Sequence, residues 1–113
     1  MTATFDTKYV GEHLNMACSF SARMANDDTI ATCTVTIAVV SGVDASPDDM
    51  LNGSAVLNSA SFAFGGVITR VGQAVIQNVE GGVDGVVYEL AYTATTTASG
   101  ETLIEKVQLP VAA

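Results

Sequence analysis

The sequence predicts an all-β fold, an antiparallel β-sandwich of about seven strands, and three observations carry that expectation. Apolar and polar residues alternate with a period of two in several stretches. Turn residues recur at intervals of about eight to twelve positions. No stretch sustains the apolar period of about 3.6 that an amphipathic helix needs.

The alternation is clearest where Val86, Tyr88, Leu90 and Tyr92 share one side of an extended ribbon, expected to lay its aromatic side into the core. A glycine-rich corner, Glu80 to Gly85, precedes it. Tyr88 stands three residues after Gly85, the spacing at which a phenol reaches back over its own corner to a backbone group. This is the tyrosine-corner arrangement of immunoglobulin-like sandwiches, so that architecture is the one expected.

The remaining elements follow in order. Residues 1–12 carry Phe5, Tyr9 and Val10 without a period and read as an extended arm or short edge strand. Residues 13–113 form the sandwich domain. From His13, Leu14, Met16, Cys18 and Phe20 face one way and His13, Asn15, Ala17, Ser19 and Ser21 the other, as in a half-buried antiparallel strand. Asn26-Asp27-Asp28 supplies a turn, making a hairpin centred near Ala25. Thr29 to Val40 is the next strand, with Ala31, Cys33, Val35, Ile37 and Val39 inward and threonines outward. Asp44 to Gly53 is an acidic crossover in which Ser46 caps and Pro47 opens a single helical turn. Ala55 to Leu57 and Ser61 to Phe64 read as short strands, and Gly65-Gly66 as a bend. Val67 to Val79 reads as one bulged strand or two, broken at Gly72. Thr95 to Gly100 is a polar turn, and Thr102 to Leu109 the last strand, closed by Pro110 because proline lacks a donor.

Composition bounds the function. The 113 residues suit one domain, and 49% hydrophobic content carried mainly by Ala and Val, without Trp, suits a thin two-layer core. A formal net charge of -8 disfavours nucleic acid and anionic lipid as partners. No run reaches the roughly 18 apolar residues of a membrane span. The first residues lack the basic and apolar regions of a secretory signal, so synthesis and retention in the cytoplasm are expected. Cys18 and Cys33 are expected as buried free thiols, although the hairpin would bring them nearly opposite one another.

No catalytic, cofactor or metal residues emerge. His13 lies on the polar side of its strand, away from both thiols, with no nucleophile motif around it. Asp44, Asp48 and Asp49 share a loop with Ser46 and Asn52, but lack the central glycine and terminal Glu of a calcium loop. Gly81-Gly82-Val83-Asp84-Gly85 has no following helix and no Lys to make a phosphate cradle. Glu89 and Glu105 are expected as solvent-facing or cross-strand paired residues, and no Trp offers a sugar-stacking platform. Ser59, Ser61 and the Thr93 to Thr97 run have no adjacent base. The chain is therefore expected not to be an enzyme.

Several motifs resemble a family of small immunoglobulin-like proteins from tailed-bacteriophage virion gene clusters. They are Phe20-Ser21, Asp28-Thr29-Ile30-Ala31, Gly81-Gly82 with Gly85-Val86-Val87-Tyr88, and Thr96-Thr97-Ala98-Ser99-Gly100, within a similarity spanning about residues 5 to 109. The resemblance implies a virion protein made in the host cytoplasm. Its expected role is capsid decoration, cementing the major capsid protein lattice, with self-association on the particle compatible with it. The alternatives are a head-tail or tail-associated component binding other virion structural proteins, or a glycan-binding, adhesive module. A Thr-rich sandwich with unclosed edges offers strand addition or face packing, and residues 2–10 are the segment expected to order on a partner.

Overall fold

A computed structural model of the chain describes residues 3–64 and 67–113. The expected bend at Gly65-Gly66 lies outside these residues, as does Thr2. Among the described residues ten strands are present, and the only helical turns are two short 3-10 turns.

The larger sheet is built on β9 (Val87–Thr96), which pairs antiparallel with β4 (Ile30–Ser41) on one side and β10 (Thr102–Ala112) on the other. The N-terminal β1 (Ala3–Thr4) and β2 (Lys8–Tyr9) add to the far edge of β10 in parallel. The second sheet sets β8 (Ala74–Val79) between β3 (Leu14–Ser19) and β5 (Val56–Leu57). β6 (Phe62–Phe64) and β7 (Val67–Thr69) pair only with each other. The fold is thus an all-β sandwich, and its strand pairing is consistent with the immunoglobulin-like arrangement expected.

The core lies where the alternation places it. Val86, Tyr88, Leu90, Tyr92 and Ala94 are buried from the larger sheet against Met16, Cys18, Phe20, Val75 and Val79 of the smaller one and its ends. One phenol spans the layers: Tyr92 donates to the Met16 carbonyl at 2.9 Å, and its ring meets that of Phe5 edge-on at 6.4 Å between centroids.

Three local expectations change and one open alternative is decided. β3 and β4 do not form a hairpin. The 3-10 turn Ser21–Arg23 and the loop to Thr29 carry the chain from one sheet to the other, so Cys18 and Cys33 sit in different layers, both free. Ala31 faces outward because the β4–β9 register shifts between Ile30 and Thr32; the bulge sends Ile30 into the core instead. The Val67 to Val79 stretch divides at Gly72, where φ is +75°, into β7 and β8, which belong to different sheets. Pro110 does not end the last strand. Gln108 and Ala112, of the same parity, turn their carbonyls to Phe5 and Val10, while Val111 donates to Val86. The nitrogen of Pro110 therefore faces the gap between β1 and β2 and interrupts no bond to β9.

The N-terminal segment runs along the sandwich. Phe5 donates its N–H to Gln108, and Lys8, fully buried, donates its ammonium to the carbonyls of Tyr9 at 2.9 Å and Gly81 at 2.7 Å.

Candidate functional site

The outer face of the larger sheet is the broadest ordered surface. Registers across β4, β9 and β10 set side chains in rows: Thr32–Thr95–Thr102, Thr34–Thr93–Ile104, Thr36–Ala91–Lys106 and Ala38–Glu89–Gln108. One Glu and one Lys cancel, so the face is neutral in a chain of net charge -8. Short β-branched and small side chains make it level, and Ile104 is 51% exposed at its middle. It presents contact area and no reactive group.

The glycine corner stands at the end of β4 and β9. The Val83 N–H donates to the Tyr88 hydroxyl at 2.9 Å, the contact the spacing predicts, and that hydroxyl donates to Asp44 Oδ2 at 2.7 Å. Burial and the Asp44 carboxylate push the Tyr88 phenol up to about 12. The phenol and the Ser46 N–H in turn hold the Asp44 carboxyl below its usual range. Burial lowers the pKa of Lys8, against the opposing pull of Glu12 and Glu80. Gly82 must be glycine: its φ is +98°, and a Cβ would come within 3.1 Å of Met50 Cε and Val111 Cγ1. A shallow cleft of about 210 Å³ opens beside it, lined by Asp44, Ser46, Asp49, Met50, Glu80 and Gly81 to Val83.

The residues weighed for chemistry are dispersed. His13 is exposed, with Nδ1 3.4 Å from Glu80 Oε2. Glu89 and Glu105 are not brought together: Glu89 pairs in register with Gln108, while Glu105 accepts from Arg23 at 2.8 Å. Pro47–Met50 forms the expected turn, but the Ser46 side chain makes no capping bond, and its N–H is bound by Asp44 instead. Among the described residues no three His, Cys, Asp or Glu side chains gather as a metal would require. Glycines 81, 82 and 85 all take positive φ, so they serve the corner.

Residues 8–110 match the protein family described as podophage GP4 fiber-tail adaptor protein gp77. The chain belongs to this family. It is accordingly a phage virion accessory protein, and the family is one of structural adaptors. Membership favours the tail-associated alternative over capsid decoration, the role expected first. No curated protein and no solved structure matches the chain.

The match to the adaptor family begins at Lys8 and ends at Pro110, so it takes in the buried lysine, the corner and the neutral face. Sequence reasoning missed three polar fixtures inside that span. Lys8 has no motif around it and enters the sequence only as one of four positive charges. Asp28 was read as a turn residue, yet it accepts from the N–H groups of Thr29 and Ala98 and from Ser99 Oγ, which pins the β9–β10 turn. Gln73, fully buried, accepts from Ser21 Oγ and donates to the carbonyls of Ala25 and Asp28, tying the loop between the sheets to β8. No local pattern marks any of them, because the partners that decide their roles, Gly81 for Lys8, Ala98 and Ser99 for Asp28, and Ser21, Ala25 and Asp28 for Gln73, lie far along the chain.

Proposed function

We propose that this protein is a tail-associated adaptor that joins a fibre to the tail of a podophage-type virion, docking through the outer face of its larger sheet. The observation that carries the reading is the family match over residues 8–110. The neutral, level face supports it. Acidic surface elsewhere on the chain repels acidic partners, whereas the rows around Thr93 and Ile104 can lose water without stranding a charge.

The division into a 1–12 segment and a 13–113 sandwich belongs to the same proposal, with the first segment as a part that a partner can engage. Because Phe5 and Lys8 are anchored in the sandwich, truncation would disturb the fold as well as binding. The test therefore uses the face. Thr93→Asp with Ile104→Asp should keep the wild-type circular dichroism spectrum and lose co-purification with tail or fibre proteins. Retained binding to those proteins, or recovery of wild type on capsid shells at a stoichiometry near that of the shell subunit, would refute the reading.

A further inference from the structure

We propose that the Asn52–Gly53 step is a site of spontaneous covalent modification, at which the Gly53 nitrogen closes on the Asn52 side chain and the amide becomes a carboxylate. The proposal does not depend on the adaptor reading.

This chemistry needs an asparagine whose side chain can turn, followed by a nitrogen that is neither crowded nor bonded. Of the five asparagines, only Asn52 precedes glycine. Both residues are exposed, and a Cβ built on Gly53 would meet no atom within 4 Å, so nothing blocks the approach. The anchors of this step lie on either side of the reacting nitrogen. The Asn52 N–H donates to the Asn78 carbonyl at 3.0 Å, and the Gly53 carbonyl accepts from Gln77 Nε2 at 3.1 Å. The Gly53 N–H itself makes no backbone hydrogen bond among the described residues. The Asn52 amide is held by one exposed bond, Nδ2 to Asn78 Oδ1 at 3.0 Å, which rotation exchanges for water.

The other amides of the chain lack one or more of these conditions. Asn58 is buried and bound at both ends, its Nδ2 donating to the Ala60 and Arg70 carbonyls and its Oδ1 accepting from Ala74. Asn15 and Asn78 are paired within β3 and β8, where the extended backbone keeps the next nitrogen from turning onto the amide. Asn26 is exposed but precedes Asp27, whose side chain crowds the nitrogen. Asp84–Gly85 has the same glycine, yet the Gly85 N–H donates to Val111 at 2.9 Å and Asp84 Oδ1 accepts from Ala113 at 3.0 Å, so both reacting groups are engaged.

Asparagine is among the thermolabile residues, and the steps balance without a co-reactant other than water. The Gly53 nitrogen bonds to Asn52 Cγ, the Cγ–Nδ2 bond breaks, and ammonia leaves with the proton from that nitrogen. Water then opens the cyclic imide. Opening at the side-chain carbonyl restores the ordinary chain with an aspartyl residue; opening at the backbone carbonyl routes the main chain through Cβ and Cγ as an isoaspartyl linkage.

The change reaches beyond residue 52. Asn52 Nδ2 donates to Asn78 Oδ1 and Asn78 Nδ2 donates to Asn15 Oδ1 at 2.8 Å, so three amides form one ladder on the outer side of the smaller sheet. A carboxylate at position 52 can only accept. Asn78 must turn to offer it an N–H, and Asn15 turns in response, so the ladder reverses. The segment that carries Asp48 and Asp49 also gains a negative charge.

The test keeps the full folded chain at mildly alkaline pH and follows each asparagine by peptide mass spectrometry, with isoaspartyl methyltransferase to count the rearranged product. The Asn52 peptide should exchange ammonia for water and yield both linkages, while those holding Asn15, Asn26, Asn58, Asn78 and Asp84 lag far behind. The native rate should lie within severalfold of that in the urea-unfolded chain, and Gly53→Ala should slow it severalfold. If that variant fails to fold, the native and unfolded wild-type rates decide alone. Asn52→Asp should shift the side-chain NH2 resonances of Asn78 and Asn15 and leave those of Gln73 in place. An Asn52 that persists in the native chain while it converts in the unfolded one overturns the proposal, as does equal conversion at Asn26 or an unchanged rate in folded Gly53→Ala. Asn15 resonances unmoved in Asn52→Asp overturn the reversal of the ladder.

Discussion

The Tyr88 hydroxyl joins two loops that are remote in sequence, accepting the Val83 N–H at 2.9 Å and donating to Asp44 Oδ2 at 2.7 Å. Tyr88→Phe keeps the ring in the core but leaves both partners unmatched. It should destabilise the fold by about 1–3 kcal/mol in urea unfolding. The neutral phenol is favoured in the folded state, with a pKa raised to about 12 against an ordinary value near 10. Its contribution is therefore complete below about pH 10 and is lost as pH rises toward 12. Phe in its place should flatten that alkaline decline.

Asp28 works in the opposite direction of pH. The Ala98 and Thr29 N–H groups and the Ser99 hydroxyl lower its pKa, so its carboxylate stabilises the fold at neutral pH. That stability is present above the unfolded value, about 4, and is lost as pH falls through the lower folded one. Asp28→Asn should lower the melting temperature at pH 7 and lose less than wild type does on acidification, both read by calorimetry.

Gly42 separates steric need from conformational freedom. Its φ is +94°, and a Cβ there would lie 2.9 Å from Val86 Cγ2 and 3.2 Å from Val86 Cα, whereas Gly53, at φ +76°, faces open space. Gly42→Ala should destabilise by about 2–4 kcal/mol and Gly53→Ala by about 1 kcal/mol, since only the former adds a clash to the backbone strain. Equal losses in denaturant melts would contradict this.

Lys8 fixes the N-terminal segment to the glycine corner through the Gly81 carbonyl at 2.7 Å. Lys8→Met preserves much of the buried stem but removes both donors, at an expected cost of about 1–3 kcal/mol. Hydrogen exchange should then quicken at the Val10 amide, which bonds to Ala112, more than in the centre of β9.

The two thiols should differ in reactivity. Burial pushes Cys18 up to about 12; it also raises Cys33, which is only half-buried and therefore within reach of solvent. In native protein at neutral pH an aromatic disulfide reagent should label Cys33 first and Cys18 only on the timescale of unfolding. Simultaneous labelling of both would show that the layers open more readily than their packing implies.

The sequence by itself determined the all-β sandwich, the buried face of β9 and the tyrosine corner, because side-chain alternation and a three-residue offset from glycine are local properties of the chain. It also carried the phage virion resemblance, which the family match made specific to the adaptor proteins. Tertiary structure alone decided which strands share a sheet. The Asn26 to Asp28 turn signal is the same whether the chain doubles back into a hairpin or crosses between layers, and it is Gln73, reached from 45 residues away, that holds the crossing. Parity decided Pro110: a missing donor ends a strand only if it faces a partner, and this one faces the gap between β1 and β2. Burial of Lys8 and the outward turn of Ala31 at its bulge likewise depend on neighbours brought from far along the chain, which no local pattern encodes.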